Sequence, residues 1–467
     1  MPRNVLVAQS GGPSPVINAS LAGVLDACFG NAAFGEIYAA WHGIEGVLLE
    51  ELIDMRKQDP NELRLLRKTP AAGAVGTCRY KLWPGQEADY ERILEVFRAH
   101  GVGYFFYIGG NDSMDTAAKV SALAQAQGYG LTVTGVPKTI DNDVGDEAFK
   151  LVDHTPGYGS AARYWSHVIQ NVNEENRGMS VSECVCVLQA MGRTTGFITA
   201  ASRLGDPNRE MPLLMFFAET GFGPNELTDR VDDTLRREGR CIVVVNEGFN
   251  AGAMGVARDG FGHVEYGASE STAAQLVVNH LNRNGFPVRG QATGQIPGVL
   301  QRGVSIHASK VDLEEAYRVG FEAVGVALRD GTGWMATILR APAGAYDPGR
   351  AYDPGGRYEP SGAYEPGGGY EPGGGYDPGG AYEAYYDKAP LRDVANASRQ
   401  LPAAWITPDG TDVTDDFIRY AQPLIGDGWP DIEMVNGLQR FARLDTRLIG
   451  KKCPAYRPCA FKTKNFL

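Results

Sequence analysis

Two aspartates, Asp141 and Asp143, leave the end of a hydrophobic run in VPKTIDNDV, residues 136–144, with Lys138 and Thr139 just before them. In extended geometry, positions two apart point to the same side. Paired carboxylates can divide the labour of catalysis, one taking a proton from a hydroxyl while the other orients a cation or a donor. The lysine adds a compact positive charge suited to a moving phosphoryl group. A surface turn accounts for Asp-Asn-Asp on its own, but not for the lysine and threonine beside it.

Five further clusters fit the same chemistry. In AQSGGPSPVINAS, Gly11 and Gly12 follow a strand-like run, and the helix expected next would aim its free amides at an anion, although a tight turn explains the glycines equally well. In YIGGNDSMDT, Asn111 and Asp112 offer oxygens of the kind magnesium prefers, with helix capping by Asp112 or Ser113 as the alternative. MGR (Met191, Gly192, Arg193), NEG (with Glu247) and LQRG (with Arg302) close three more segments. Arginines there suit bidentate phosphate contacts, and Glu247 suits sugar hydroxyls. No Ser-His or Cys-His nucleophile arrangement accompanies them, so phosphoryl transfer is the reaction class that the constellation fits best.

These residues need a scaffold that gathers loop ends. Glycine-bounded hydrophobic runs (NVLVAQSGG, GYFFYIGG, LTVTGVPK, SECVCVLQAMGR, PLLMFFAE, RCIVVVNEG) alternate with stretches of helical spacing such as SPVINASLAGVLDACF, DYERILEVFRAH and SMDTAAKVSALAQAQ. That alternation predicts mainly parallel sheets flanked by helices, with ligands at the C-terminal ends of the strands. A chain of 467 residues with 43% hydrophobic content can bury two cores of ordinary size, so two α/β lobes are expected.

Charge and cysteine content narrow the setting. The net charge of -12 argues against a nucleic-acid backbone or an anionic membrane as partner. Seven cysteines form neither an even framework nor a zinc pair, and Cys184 and Cys186 are expected to share one face of a buried strand. The N-terminus enters a strand at once, with no signal-peptide layout and no bilayer-length apolar run, which predicts a cytoplasmic protein. Residues 343–384 repeat a six-residue unit, with Tyr346, Tyr352, Tyr358, Tyr364, Tyr370, Tyr376 and Tyr382 in register, each followed by Asp or Glu and, up to the last, by Pro. Proline and glycine at this density predict a disordered insert.

Taken in order, SGGPSPVIN, GGNDS, PKTIDND, DHTPGYGSAA, MGR, NEG and LQRG resemble the phosphofructokinase family, and within it the pyrophosphate-dependent branch, over residues 3–340 and again after the insert. The resemblance implies a two-lobed α/β fold with the active site between lobes. Residues 1–150 would form a donor-binding lobe to which the chain later returns, 151–342 the sugar-phosphate lobe and crossovers, and 385–467 a region packing back on the core. It implies fructose 6-phosphate and pyrophosphate as substrates, Mg2+ as cofactor, and a homo-oligomer, dimer or tetramer. Asp141 would be the general base on the sugar's 1-hydroxyl, with Thr139, Ile140 and Asp143 beside it. Met191, Gly192, Arg193, Glu247 and Arg302 would hold fructose 6-phosphate, and Gly11, Gly12 and Arg79 the donor.

ATP-using members resemble this chain but typically carry GGDGS and PGTIDND. Here Asp112 and Lys138 replace glycines, and Asp112 is expected to exclude the α-phosphate of a nucleotide by charge and bulk. Asn111 stands where many relatives have a magnesium-associated aspartate. Cys184 and Thr293 stand where arginines reaching a sugar phosphate are expected, with Arg289 close by. An ATP-dependent 6-phosphofructokinase and a non-catalytic regulatory subunit are the alternatives.

Overall fold

The computed structural model describes residues 2–70, 73–83, 85–250, 264, 271–341, 382–395 and 397–459. Its main strands are β1 (Arg3–Gln9), β2 (Phe34–Ala40), β3 (Leu52–Asp54), β4 (Val102–Gly109), β5 (Thr132–Pro137), β6 (Val185–Ala190), β7 (Leu213–Phe216), β8 (Cys241–Asn246), β9 (Ala292–Gln295), β10 (Trp334–Arg340) and β11 (Ala384–Pro390). They form a seven-stranded sheet, ordered β11-β10-β5-β4-β1-β2-β3, and a four-stranded sheet, ordered β7-β8-β6-β9. All neighbours pair in parallel except β3 with β2 and β11 with β10. The expected mixed α/β fold with mainly parallel sheets is thus observed.

Both sheets are covered on two faces, as their near-continuous hydrophobic strands require. Along β1, Leu6 and Ala8 enter one core while Val5 and Val7 enter another. In the smaller sheet, Ile242 and Val244 face one core and Val243 and Val245 the other. Helices Ile17–Phe29 and Lys310–Asp330 press together on the large sheet, where a Cβ at Gly23 would lie 1.9 Å from the Tyr317 carbonyl oxygen. Alanine cannot fit there without parting the helices.

Two expectations need correction. Cys184 precedes β6 and packs with Val185 and Val187, whereas Cys186 packs on the opposite face with Leu188 and Ala190. The alternation that would put both thiols on one face starts one residue too late. The tyrosine repeat lies outside the described residues except at its end, and that end is folded. Tyr382 donates its hydroxyl to Glu315 Oε1 at 2.6 Å, the Ala341 amide donates to the Glu383 carbonyl, and Ala384 already pairs with Arg340. Residues 382–384 therefore belong to the folded body rather than to an insert ending at 384.

Candidate active site

Five parallel strands deliver the site. Gly11 and Gly12 follow β1, Gly110 to Ser113 follow β4, and Lys138 to Asp143 follow β5. From the smaller sheet, Met191 and Arg193 follow β6 and Glu247 follows β8. With Pro13, Arg79, Val264 and Arg302 they line one cavity between the sheets. Among the site residues expected from the sequence, only Gly192 is absent from that wall. At φ 128°, with a Cβ position 2.5 Å from the Thr195 carbonyl oxygen, it lets the next residue turn into the cavity.

The Asp-Asn-Asp segment is not an extended strand end. Asn142 adopts a left-handed conformation, φ 59°, and buries its side chain away from the cavity, while Asp141 and Asp143 both still line it. The Asn142 amide donates to the Tyr420 hydroxyl at 2.8 Å, and its carbonyl oxygen accepts from the Thr155 amide and from Arg399. Thr139 Oγ1 accepts from the Asp141 amide at 3.1 Å, tightening the turn that presents the carboxylate. Arg193 Nε lies 3.6 Å from Asp141 Oδ2.

Lys138 is almost fully buried and donates to the Gly12 carbonyl at 2.6 Å. Burial, reinforced by the nearby guanidinium groups of Arg302, Arg79 and Arg193, pushes its ammonium down to about 7. Burial and the neighbouring Asp141 carboxylate push Asp143 up to about 6 and Glu247 up to about 7. Glu247 Oε1 accepts from the amides of Gly192 and Arg193, so this carboxylate fixes the MGR turn as well as facing the cavity. In a low-dielectric site, four cations and four carboxylates are poised to bind polyanions and to move a proton.

The helix that offers its N-terminus differs from the one expected first. Helix Ile17–Phe29 starts five residues beyond Gly12 and contributes nothing to the wall, whereas Asn111–Ala126 begins on it with Gly110 as N-cap. Asp112 accordingly sits in the first turn, where its charge suits the dipole, and it does not cap. Its Oδ1 lies 2.7 Å from Lys81 Nζ. Neither Cys184 nor Thr293 lines the cavity: the first is fully buried, and the second donates to Glu183.

The oxygen set can take magnesium in one form. Asn111 Oδ1 is buried with no hydrogen-bond partner among the described residues, an orphan that a cation or its water shell would satisfy. No group of three or more His, Cys, Asp or Glu among the described residues could cage a metal alone. The fit is therefore to magnesium that arrives with phosphate oxygens and keeps several waters.

Three supporting residues escaped the sequence reading. Arg399, fully buried and from the segment after the repeat, donates to Asn142 O and Oδ1 and to the carbonyls of Val152 and Asp153, at 2.6–2.8 Å. Gln301 Oε1 accepts from the Met191 amide and the Trp165 indole. Lys81 stands two residues after Arg79. None belongs to a strand-end glycine cluster; only the odd placement of Gln301 inside LQRG carried a signal.

The comparisons with known proteins agree with this geometry. The family described as Phosphofructokinase matches residues 4–327. A pyrophosphate–fructose 6-phosphate 1-phosphotransferase of Methylococcus capsulatus is 36% identical over 97% of this chain and 98% of its own length. One from Halomonas elongata is also 36% identical, over 97% and 99%. The crystal structure of a pyrophosphate-dependent phosphofructokinase from Nitrosospira multiformis superposes with a TM-score of 0.80 at 33% identity, covering 97% of this chain and all of that one. With the family matching residues 4–327 and relatives 36% identical over nearly the whole chain, the chain belongs to the phosphofructokinase family.

Proposed function

We propose that the protein transfers a phosphoryl group from pyrophosphate to the 1-hydroxyl of D-fructose 6-phosphate, giving fructose 1,6-bisphosphate and phosphate in a reversible reaction. The observation that carries this reading is the buried Lys138, set among Arg79, Arg193 and Arg302 and facing the Asp141–Asp143 turn across one cavity. Such a cluster suits a short, highly charged donor.

In this mechanism the Asp141 carboxylate takes the proton of the sugar's 1-hydroxyl. The freed oxygen attacks the nearer phosphorus, the bond to the bridging oxygen breaks, and inorganic phosphate leaves with that oxygen. Lys138 and Arg193 offset the charge that develops on the moving group, worth about 3 kcal/mol for a well-placed donor. Arg302, Met191 and Glu247 hold the sugar phosphate, with Thr139, Ile140 and Asp143 shaping the reacting end. Gly11, Gly12 and Arg79 hold the donor, and Asn111 would hold magnesium through water. Magnesium, when bound, neutralises donor phosphate charge.

In this reading residues 1–150 serve as the donor lobe, to whose sheet the chain returns at β10 and β11, and 151–342 as the sugar-phosphate lobe and crossovers. A homo-oligomer suits the exposed Val299, Leu300, Ile306 and Leu438 near the Arg302 segment. Seven free cysteines suit a reducing cytoplasm, and no helix of the described residues is long and apolar enough to cross a membrane. The test is turnover of fructose 6-phosphate with magnesium and either pyrophosphate or ATP. A preference for ATP, or no turnover with either donor, would refute the reading.

A further inference from the structure

Asp112, at the donor end of the cavity, is paired with a cation that no motif announces. Arg79, Tyr80 and Lys81 follow one another, and Tyr80 is buried with its hydroxyl on Asp89. Arg79 lines the cavity, and Lys81 stands against Asp112, which lines it too. Lys81 Nζ lies 2.7 Å from Asp112 Oδ1, with both side chains only 15% exposed, and 4.5 Å from the Trp83 ring centroid. The ammonium is thus held between an aromatic face and a carboxylate that lines the cavity.

This pairing changes what Asp112 can do. A bare carboxylate would repel the phosphates of pyrophosphate and of ATP alike, so charge alone selects neither donor. With Lys81 against it the pair is close to neutral, and the ammonium, which has three N–H donors, retains hydrogens for a third party. We infer that Lys81 is a specificity-determining residue. Asp112 anchors its ammonium so that it donates to the phosphate of pyrophosphate that is not transferred, and the salt-bridged pair fills the space a nucleoside would need. This rests on the pyrophosphate reading above, and the two are tested separately.

The experiment compares the parent with Lys81→Met, Lys81→Arg, Asp112→Gly and the Lys81→Met/Asp112→Gly double variant. Kinetics with pyrophosphate are read beside calorimetric binding of magnesium pyrophosphate, so binding still reports if turnover is absent. Lys81→Met should weaken pyrophosphate through KM and Kd by roughly 10- to 100-fold, the range for losing a charged hydrogen bond. The KM for fructose 6-phosphate and the Tm should stay at parent values, and Lys81→Arg should restore most of the loss. In the Asp112→Gly background the same substitution should cost much less, because the ammonium is no longer held. Unchanged pyrophosphate affinity in Lys81→Met would overturn the inference, and so would equal losses in both backgrounds. A parent that turns over ATP alone would instead refute the function proposed, and a parent that binds no pyrophosphate would refute both.

Discussion

Gly12→Ala offers a sharp test of how the two halves of the cavity meet. A Cβ at Gly12 would lie 2.2 Å from Arg302 Nη1 and 3.3 Å from Arg79 Nη2, while the Gly12 carbonyl already accepts from Lys138. Ordinary contact begins near 3.4 Å, so the Arg302 guanidinium has to retreat by about 1.2 Å. The clash is with the far end of a flexible side chain, and Gly12, unlike Gly11 at φ 78°, does not sit in the left-handed region. Folding should therefore be unharmed, or improved by up to about 1 kcal/mol through the stiffer unfolded chain. Function should suffer, because misplacing a substrate-positioning group by about 1 Å typically costs 10²-fold, or roughly 2.7 kcal/mol in transition-state binding. Specificity constants for fructose 6-phosphate at saturating pyrophosphate, and the reverse, should both fall, with the sugar phosphate hit harder. A parent-like specificity constant would show that Arg302 does not hold substrate in this position. A large drop in Tm would show that the backbone, not the arginine, yields.

Asp141→Asn should lower turnover by roughly 10²–10⁴-fold with little change in either KM, since the carboxylate acts only on the reacting proton; near-normal turnover would remove it as the base. The Lys138 pKa, lowered to about 7, predicts that kcat/KM for pyrophosphate declines as pH rises through about 7, where the free enzyme's ammonium loses its proton. Bound pyrophosphate favours the charged form, so the alkaline limb of kcat should lie higher than that of kcat/KM; coincident limbs would speak against Lys138 meeting the donor. Arg399→Met would leave Asn142 and the Val152 and Asp153 carbonyls without their shared donor, so a stability loss of about 3 kcal/mol is expected by chemical denaturation. A loss below about 1 kcal/mol would mean that the loop holds itself.

Much of this architecture was legible because buried parallel strands write themselves as short hydrophobic runs stopped by glycine. β1, β4, β5, β6, β7 and β8 all coincide with such runs, and the cavity follows because the chain must turn where each run ends. The parts that were not legible depend on contacts distant in sequence. Nothing local in TIDND predicts a left-handed Asn142. That conformation exists because Tyr420, Thr155 and Arg399 satisfy its side chain from 278, 13 and 257 residues away. Cys184 reads as part of its strand because hydrophobicity does not mark where a ladder begins; pairing does, and β6 first pairs at Val185.

The Asp112 wall shows the same limit at the level of chemistry. Read alone, an acid at the start of a helix is a dipole partner, a cap or a repulsive charge, and these differ in what they imply for a donor. The choice is made by Lys81, which lies 31 positions earlier in a segment without regular structure. Once the two are paired, the carboxylate no longer opposes phosphate as a free charge would, and what remains is its volume and its hold on an ammonium. On the inference drawn above, donor choice is a property of a pair of side chains, one on the segment that bridges to Ser10 through Cys78 and one just after β4, and substituting either one alone tests only half of it.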